Sequence, residues 1–132
     1  MPVDFELDHG RRVVRSRAWG DVTEAEIAGY QRRIEILFRD GTLDAAWALM
    51  ADFTGTTGVA DMSTAAVQRM AHNNPWPRES YRVLIATTPV VYGLARMYQI
   101  LATGENDRYM VVRSAAEAHT WLLRARQPST EE

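Results

Sequence analysis

Residues 3–8 alternate between apolar and acidic side chains, and the apolar members are Val3, Phe5 and Leu7. An alternation of period two predicts a β-strand with one buried face. The next pair, His9-Gly10, predicts a two-residue turn, because glycine adopts positive φ readily. A second strand over 11–18 follows, and this turn would place Phe5 opposite Val14.

Four later segments have apolar side chains at helical spacing and begin at residues that cap helices well. They are predicted at 24–39, 64–73, 89–103 and 115–125. In the first, Thr23 and Glu26 form a capping box and Gly41 is a stop signal. The inner stripe of the third is predicted to be Leu94, Met97, Tyr98 and Leu101, with Tyr92, Arg96, Gln99 and Thr103 on the outer face.

Three short apolar runs at 47–53, 82–87 and 109–112 have strand length, and 54–63 is predicted to be a loop. The order is therefore β-β-α-β-α-β-α-β-α. Alternating strands and helices predict an α/β fold whose five-stranded sheet is mixed but mostly parallel, with an antiparallel strand at the amino-terminal edge. We expect one domain over 1–126 and a flexible tail over 127–132.

The amino-acid composition excludes several kinds of covalent, metal-binding and nucleotide-binding sites. The 132 residues include no cysteine, which excludes disulfides and thiolate metal sites, and all 15 basic residues are arginine, which excludes a P-loop lysine. With a net charge of -2, no binding to nucleic acid is expected. The first ten residues do not resemble a signal peptide, and no apolar stretch approaches bilayer length, so we expect a cytoplasmic protein without membrane insertion.

Five stretches of the chain carry a resemblance to known proteins: RAWG at 17–20 with VT at 22–23, and residues 49–54, 82–87, 92–98 and 118–122. Together with the order of elements, they resemble the STAS fold of anti-sigma-factor antagonists. The closer likeness is to the SpoIIAA-like, or STAS/Sec14-type, family of small bacterial proteins. The resemblance covers nearly the whole chain. It implies the α/β fold above and leaves function open, because much of that family has no assigned activity.

STAS antagonists carry an Asp-Ser-Ser-Gly stretch in which the second serine accepts a phosphate from an anti-sigma kinase. Asp61, Met62, Ser63 and Thr64 stand at those positions here. The resemblance therefore implies that Ser63 is a phosphoacceptor, while Met62 and Thr64 depart from the pattern. The alternative is that Ser63 only caps the following helix, with Met62 and Val67 as a hydrophobic staple. The two interpretations share one geometry and differ in whether a kinase exists.

No catalytic set and no metal-ligand spacing is recognisable, and no cofactor is expected. The first hypothesis is thus a non-enzymatic regulatory module that binds a partner protein or a second copy of itself. The candidate residues for a partner or ligand surface, besides Ser63, are Asp61, Thr64, Trp76, Tyr92 and Arg96, and Trp76 could line either a pocket or an interface. The alternative is a domain that binds a lipid or another small apolar molecule, suggested by the Sec14 side of the resemblance and by the apolar third helix.

Overall fold

The computed structural model describes residues 3–104 and 106–127. These residues form β1 (Val3–Asp8), β2 (Val13–Asp21), α1 (Glu24–Arg39), β3 (Ala48–Gly58), α2 (Thr64–His72), β4 (Arg82–Ile85), α3 (Pro89–Thr103), β5 (Tyr109–Val112) and α4 (Ala115–Ala125). The strands lie in the order β1-β2-β3-β4-β5, antiparallel between β1 and β2 and parallel elsewhere. The predicted order of elements and the mixed sheet are confirmed. The expected tail lies outside the described residues, except for Gln127.

The helices divide between the two faces of the sheet. Right-handed crossovers that all advance in one direction place α1, α2 and α3 on the same face, and α4 covers the other. Successive side chains of a strand point to opposite faces of the sheet, so one strand packs against both helix layers. In β4, Leu84 packs toward α1–α3 and Val83 toward α4. The capping box of Thr23 and Glu26 at the start of α1 is present as predicted.

The predicted register of the hairpin is wrong by two residues. Phe5 lies opposite Ser16, and Val14 lies opposite Leu7. The connection has four residues instead of two, and Arg12, with φ of +56°, takes the left-handed conformation that the prediction gave to glycine. A shift of two keeps every side chain on its predicted face, so the apolar pattern alone could not distinguish the two registers.

The Gly-Thr segment over 54–58 is the second correction, because it continues β3 where a loop was predicted. It pairs with the end of β2, with Gly55 beside Trp19 and Gly58 beside Asp21. A Cβ atom at Gly55 would lie 3.2 Å from the Trp19 Cβ, and one at Gly58 would collide with the Asp21 carboxylate. The glycines that suggested a loop are needed for the close approach of two strands.

The third correction concerns the orientation of α3. Its buried residues are Ala95 and Gln99, whereas the predicted core residue Leu101 is 45% exposed. The Gln99 side-chain amide donates to the backbone carbonyl of Tyr109 at 2.7 Å, which ties α3 to the start of β5. This polar contact turns Gln99 inward, and a prediction from apolar spacing has no means to detect it.

Candidate functional site

A cavity of about 120 Å³ lies between the sheet and helices α1–α3. Its walls are almost entirely apolar and include Phe53, Met62, Met70, Trp76, Leu84 and Tyr98. Well-packed cores contain few voids larger than a water molecule, so a cavity of this size is itself informative. Concave, mostly apolar spaces with a small number of polar groups are the usual form of small-molecule sites.

Arg82 is the charged residue in the wall of this cavity, and only 1% of it is exposed. Alternation along β4 turns it to the same face as Leu84, and its guanidinium carbon lies 4.6 Å from the centre of the Tyr109 ring. Among the described residues, Nε, Nη1 and Nη2 have no hydrogen-bond partner. Burial lowers the pKa of Arg82, yet an arginine stays protonated in proteins at neutral pH. The site therefore contains a buried positive charge that lacks a hydrogen-bond acceptor within the described part of the chain.

Among the other polar groups around the cavity, Thr56 Oγ1 and Trp76 Nε1 also lack a partner within the described residues, whereas Gln31 and Tyr98 are hydrogen-bonded. The Gln31 side-chain amide donates to the Met70 carbonyl at 2.8 Å and to the Tyr98 hydroxyl at 3.1 Å. Burial raises the pKa of Tyr98 to about 12, so its hydroxyl is neutral and offers no negative charge to Arg82. Trp76 is buried in this wall, with its ring edge against Phe38 at 5.0 Å between centroids. It is a cavity residue and does not form an exposed surface.

A second group of candidate residues lies where α1 and α2 begin. The Ser63 hydroxyl accepts from Ala66 N at 3.1 Å, so Ser63 is the amino-terminal cap of α2, and its side chain is exposed. The Asp61 carboxylate accepts from Glu24 N at 3.1 Å, and it thereby caps the first residue of α1. The Arg69 guanidinium donates to both carboxylate oxygens of Glu24, at 2.7 and 2.8 Å.

These contacts join the amino-terminal ends of two helices into one surface. Asp61, Ser63 and Thr64 lie on it together, and all three are exposed. The hydrogen bonds from Arg69 lower the pKa of Glu24, which keeps this carboxylate ionised. The predicted residues of the 61–64 segment are thus neighbours in the structure, and we name residues 24, 61, 63, 64 and 69 the helix-start surface.

Tyr92 and Arg96 were both predicted on the outer face of α3, but they differ in exposure. Tyr92 is partly buried against the core, and the Arg113 guanidinium covers its ring at 4.0 Å. Arg96 is exposed and donates to the Gln99 side-chain oxygen at 3.0 Å. Of the outer face predicted for Tyr92, Arg96, Gln99 and Thr103, the exposure of Arg96 is confirmed and that of Gln99 is wrong, because Gln99 is in the core.

Sequence reasoning missed Arg82, the most unusual residue of the cavity. One signal was present: Arg82 begins the most strand-like segment, two residues before Leu84 and on the same face. A central parallel strand is normally apolar on both faces. An arginine in phase with its core positions could therefore have been recognised as a candidate binding residue. The three histidines offer no such signal, and no group of three potential metal ligands is found among the described residues.

Neither a protein-family profile nor a curated relative matches the chain. The structure is similar to the anti-sigma factor antagonist SpoIIAA in its unphosphorylated form, with a TM-score of 0.59 and 13% identity, over 96% of this chain and 99% of that one. The phosphorylated form of the Bacillus cell fate determinant SpoIIAA gives 0.55 and 16%, over 93% and 100%.

An uncharacterised protein of the DUF3478 family from Shewanella loihica PV-4, which has a SpoIIAA-like fold, gives a TM-score of 0.59 and 11% identity, over 91% of this chain and 93% of that one. The chain therefore has a SpoIIAA-like fold, as the sequence resemblance implies. Identities this low establish the fold and leave function to be argued from the sites. No helix within the described residues has the length and apolar character needed to cross a membrane.

Proposed function

We propose that this chain is a non-enzymatic regulatory module that binds a partner protein through the helix-start surface. Its fold is the one found in SpoIIAA, which is an anti-sigma factor antagonist. The observation that carries the proposal is the position of Ser63: an exposed hydroxyl at the start of α2, beside Asp61, which caps α1. One modification there would alter a surface formed by both helices.

Phosphorylation of Ser63 would act on this surface through charge. A phosphate brings nearly two negative charges and is favoured at a helix amino-terminus by the free N–H groups and the helix dipole. It would also stand close in sequence to the carboxylate of Asp61, which holds the backbone of Glu24. A partner that binds the unmodified surface would then meet a markedly more acidic one, and binding would weaken.

The test is photo-crosslinking in the native cell from a reactive side chain at position 64. The same side chain at Thr120, exposed on α4, is the matched control. We expect one protein adduct from position 64 and none of that mass from position 120. Two further variants separate charge from capping, since Ser63→Asn and Ser63→Asp both retain a cap and only the second adds a charge. The adduct should persist with asparagine and be lost with aspartate.

Two results would contradict this proposal. One is an adduct that both Ser63 variants form equally, or that appears equally from position 120. The other is turnover of a substrate by the purified protein that is abolished by substitution of Asp52, Asp61 or His72, because the chain would then be an enzyme.

A ligand-binding domain is the second candidate function, and the cavity beside Arg82 is the observation that favours it. Native mass spectrometry of the purified protein tests it, with a retained small molecule as the expected result. Ala51→Leu offers a control, since Ala51 is buried in the cavity wall and a larger side chain there would occupy the space. A bare mass for the wild type, with no thermal shift in a screen of apolar compounds, would remove this candidate.

A further inference from the structure

We infer that the cavity binds a small apolar carboxylic acid, whose carboxylate is held by the guanidinium of Arg82. The inference rests on the second candidate function and gives it a ligand class and an anchoring residue. It depends on three features of the structure: the unsatisfied guanidinium, the apolar walls and the volume. Each of them restricts the ligand in a different way.

The guanidinium requires an acceptor. Arginine presents five N–H donors in a planar fork, and a buried charge without hydrogen bonds is costly. The Tyr109 ring offers its face to the cation, but a ring face accepts no in-plane hydrogen bond from the fork. The described residues supply no acceptor for any of the three guanidinium nitrogens of Arg82. A planar carboxylate matches this fork with two parallel hydrogen bonds. Because all three nitrogens are closed to solvent, the Arg82 side chain must turn toward the cavity to make these bonds.

The charge balance favours a carboxylate over a phosphate. Arg82 supplies one positive charge within the apolar wall of the cavity, and a carboxylate supplies one negative charge. A phosphate dianion would leave a second negative charge buried without a partner, which is strongly unfavourable. Neutral Tyr98 does not change this balance, because burial raises the pKa of its hydroxyl.

The walls and the volume describe the rest of the ligand. Leu84, Trp76 and Met70 present apolar surface, so the body of the ligand should be apolar too. The volume of about 120 Å³ is slightly below that of an engineered cavity of about 150 Å³ that binds benzene. A benzoate-like ring or a short acyl chain such as hexanoate therefore matches the space better than a long-chain lipid.

The experiment compares acids with neutral molecules of the same shape. Isothermal titration calorimetry and thermal shift are recorded for benzoate against benzyl alcohol and for hexanoate against 1-hexanol, with inorganic phosphate as a separate arm. For the wild type we expect each acid to bind at least about tenfold more tightly than its alcohol, which corresponds to about 1.4 kcal/mol. Phosphate should give no measurable binding.

Three arginine variants test whether the preference for acids depends on Arg82. Arg82→Met keeps an unbranched apolar side chain and removes the charge, so the preference for acids should disappear while the alcohols still bind. Arg17→Met is the matched control, since the Arg17 guanidinium also lies over an aromatic ring, 4.9 Å from Trp19, but is exposed and outside the cavity. It should bind as the wild type does. Arg82→Lys, which keeps the charge, should retain a reduced preference.

The possible failures are distinguishable. Equal binding of acids and alcohols, or an acid preference that survives in Arg82→Met, would overturn the role of Arg82 while leaving a ligand-binding cavity. Binding of phosphate in place of the acids would overturn the ligand class. If neither acids nor alcohols bind, both this inference and the second candidate function are wrong. A loss of acid preference in Arg17→Met would also contradict the inference, because the effect would not be specific to the cavity.

Discussion

Two arginines on opposite faces of the sheet show what a guanidinium does with and without acceptors. Arg126, which caps the end of α4, donates to three backbone carbonyls at 2.8 to 3.1 Å, those of Arg11, Arg12 and Ala46. These bonds tie the helix to the hairpin turn and to the segment before β3. Arg82, on the face of α1–α3, contacts the Tyr109 ring and, among the described residues, finds no acceptor for its guanidinium nitrogens.

The contrast separates a structural role from a binding role. A contribution to stability explains why an arginine stands at position 126, because its N–H groups donate to carbonyls that would otherwise need water. Stability does not explain Arg82, since an apolar side chain at the same place would pack without the cost of a buried charge. A residue that the fold would be more stable without, and that lies in the wall of a cavity, is a strong candidate for function.

Replacing Arg82 should give the largest effect on stability, and it tests the contrast between Arg82 and Arg126 directly. In the absence of ligand, Arg82→Met should raise the free energy of unfolding, by about 1 to 3 kcal/mol, because a buried charge is replaced by an apolar side chain of similar length. Urea unfolding followed by far-UV circular dichroism measures it. A variant less stable than the wild type would mean that Arg82 supports the fold, as Arg126 does.

Replacing Arg126 should change the free energy of unfolding in the opposite direction. Arg126→Met removes three hydrogen bonds made by a charged donor and should lower the free energy of unfolding, by about 1 to 2 kcal/mol. The partial exposure of this site limits the loss, because water can reach the freed carbonyls. The same urea titration applies, and Arg124→Met on the exposed side of α4 is its control. Equal stability of the Arg126 and Arg124 variants would contradict a clamping role.

The comparison also explains what could be predicted from the sequence. Apolar periodicity and caps such as Thr23 correctly gave the order of elements, since each follows from residues close in the chain. The errors at Gly58, Gln99 and the hairpin register involve contacts between two elements, which the apolar pattern within one element does not determine. Arg82 illustrates the same limit: its position in the strand was predictable, but the missing acceptor is a property of everything packed around it.

Ser63 belongs with the satisfied polar groups, and its replacement should have a moderate effect. Ser63→Ala removes the acceptor of the Ala66 N–H and should lower the free energy of unfolding by about 1 kcal/mol. Ser63→Asp keeps a cap and places a negative charge at the positive end of the helix dipole, so its stability should equal or exceed that of the wild type. Thermal unfolding of both variants measures the difference. An alanine variant as stable as the wild type would refute the contribution of the cap.

The smallest effect on stability is expected at the exposed pair of Glu24 and Arg69. The dependence of this effect on pH distinguishes Glu24, which titrates, from Arg82, which stays charged. The hydrogen bonds from Arg69 lower the pKa of Glu24 in the folded state. A carboxylate with a lowered pKa contributes its stabilisation above the pKa of the unfolded chain, about 4.3 for glutamate, and loses it as the pH falls through the folded value. The wild type should therefore exceed Glu24→Gln in stability at pH 7, and the difference should vanish in acid. High salt should reduce this difference, because the pair is exposed.

The stability difference between Arg82→Met and the wild type should stay constant over pH 5 to 8, because arginine remains protonated in both states. Urea titrations at several pH values measure both differences. A Glu24→Gln difference that persists in acid would show that the pair does not titrate as its geometry requires.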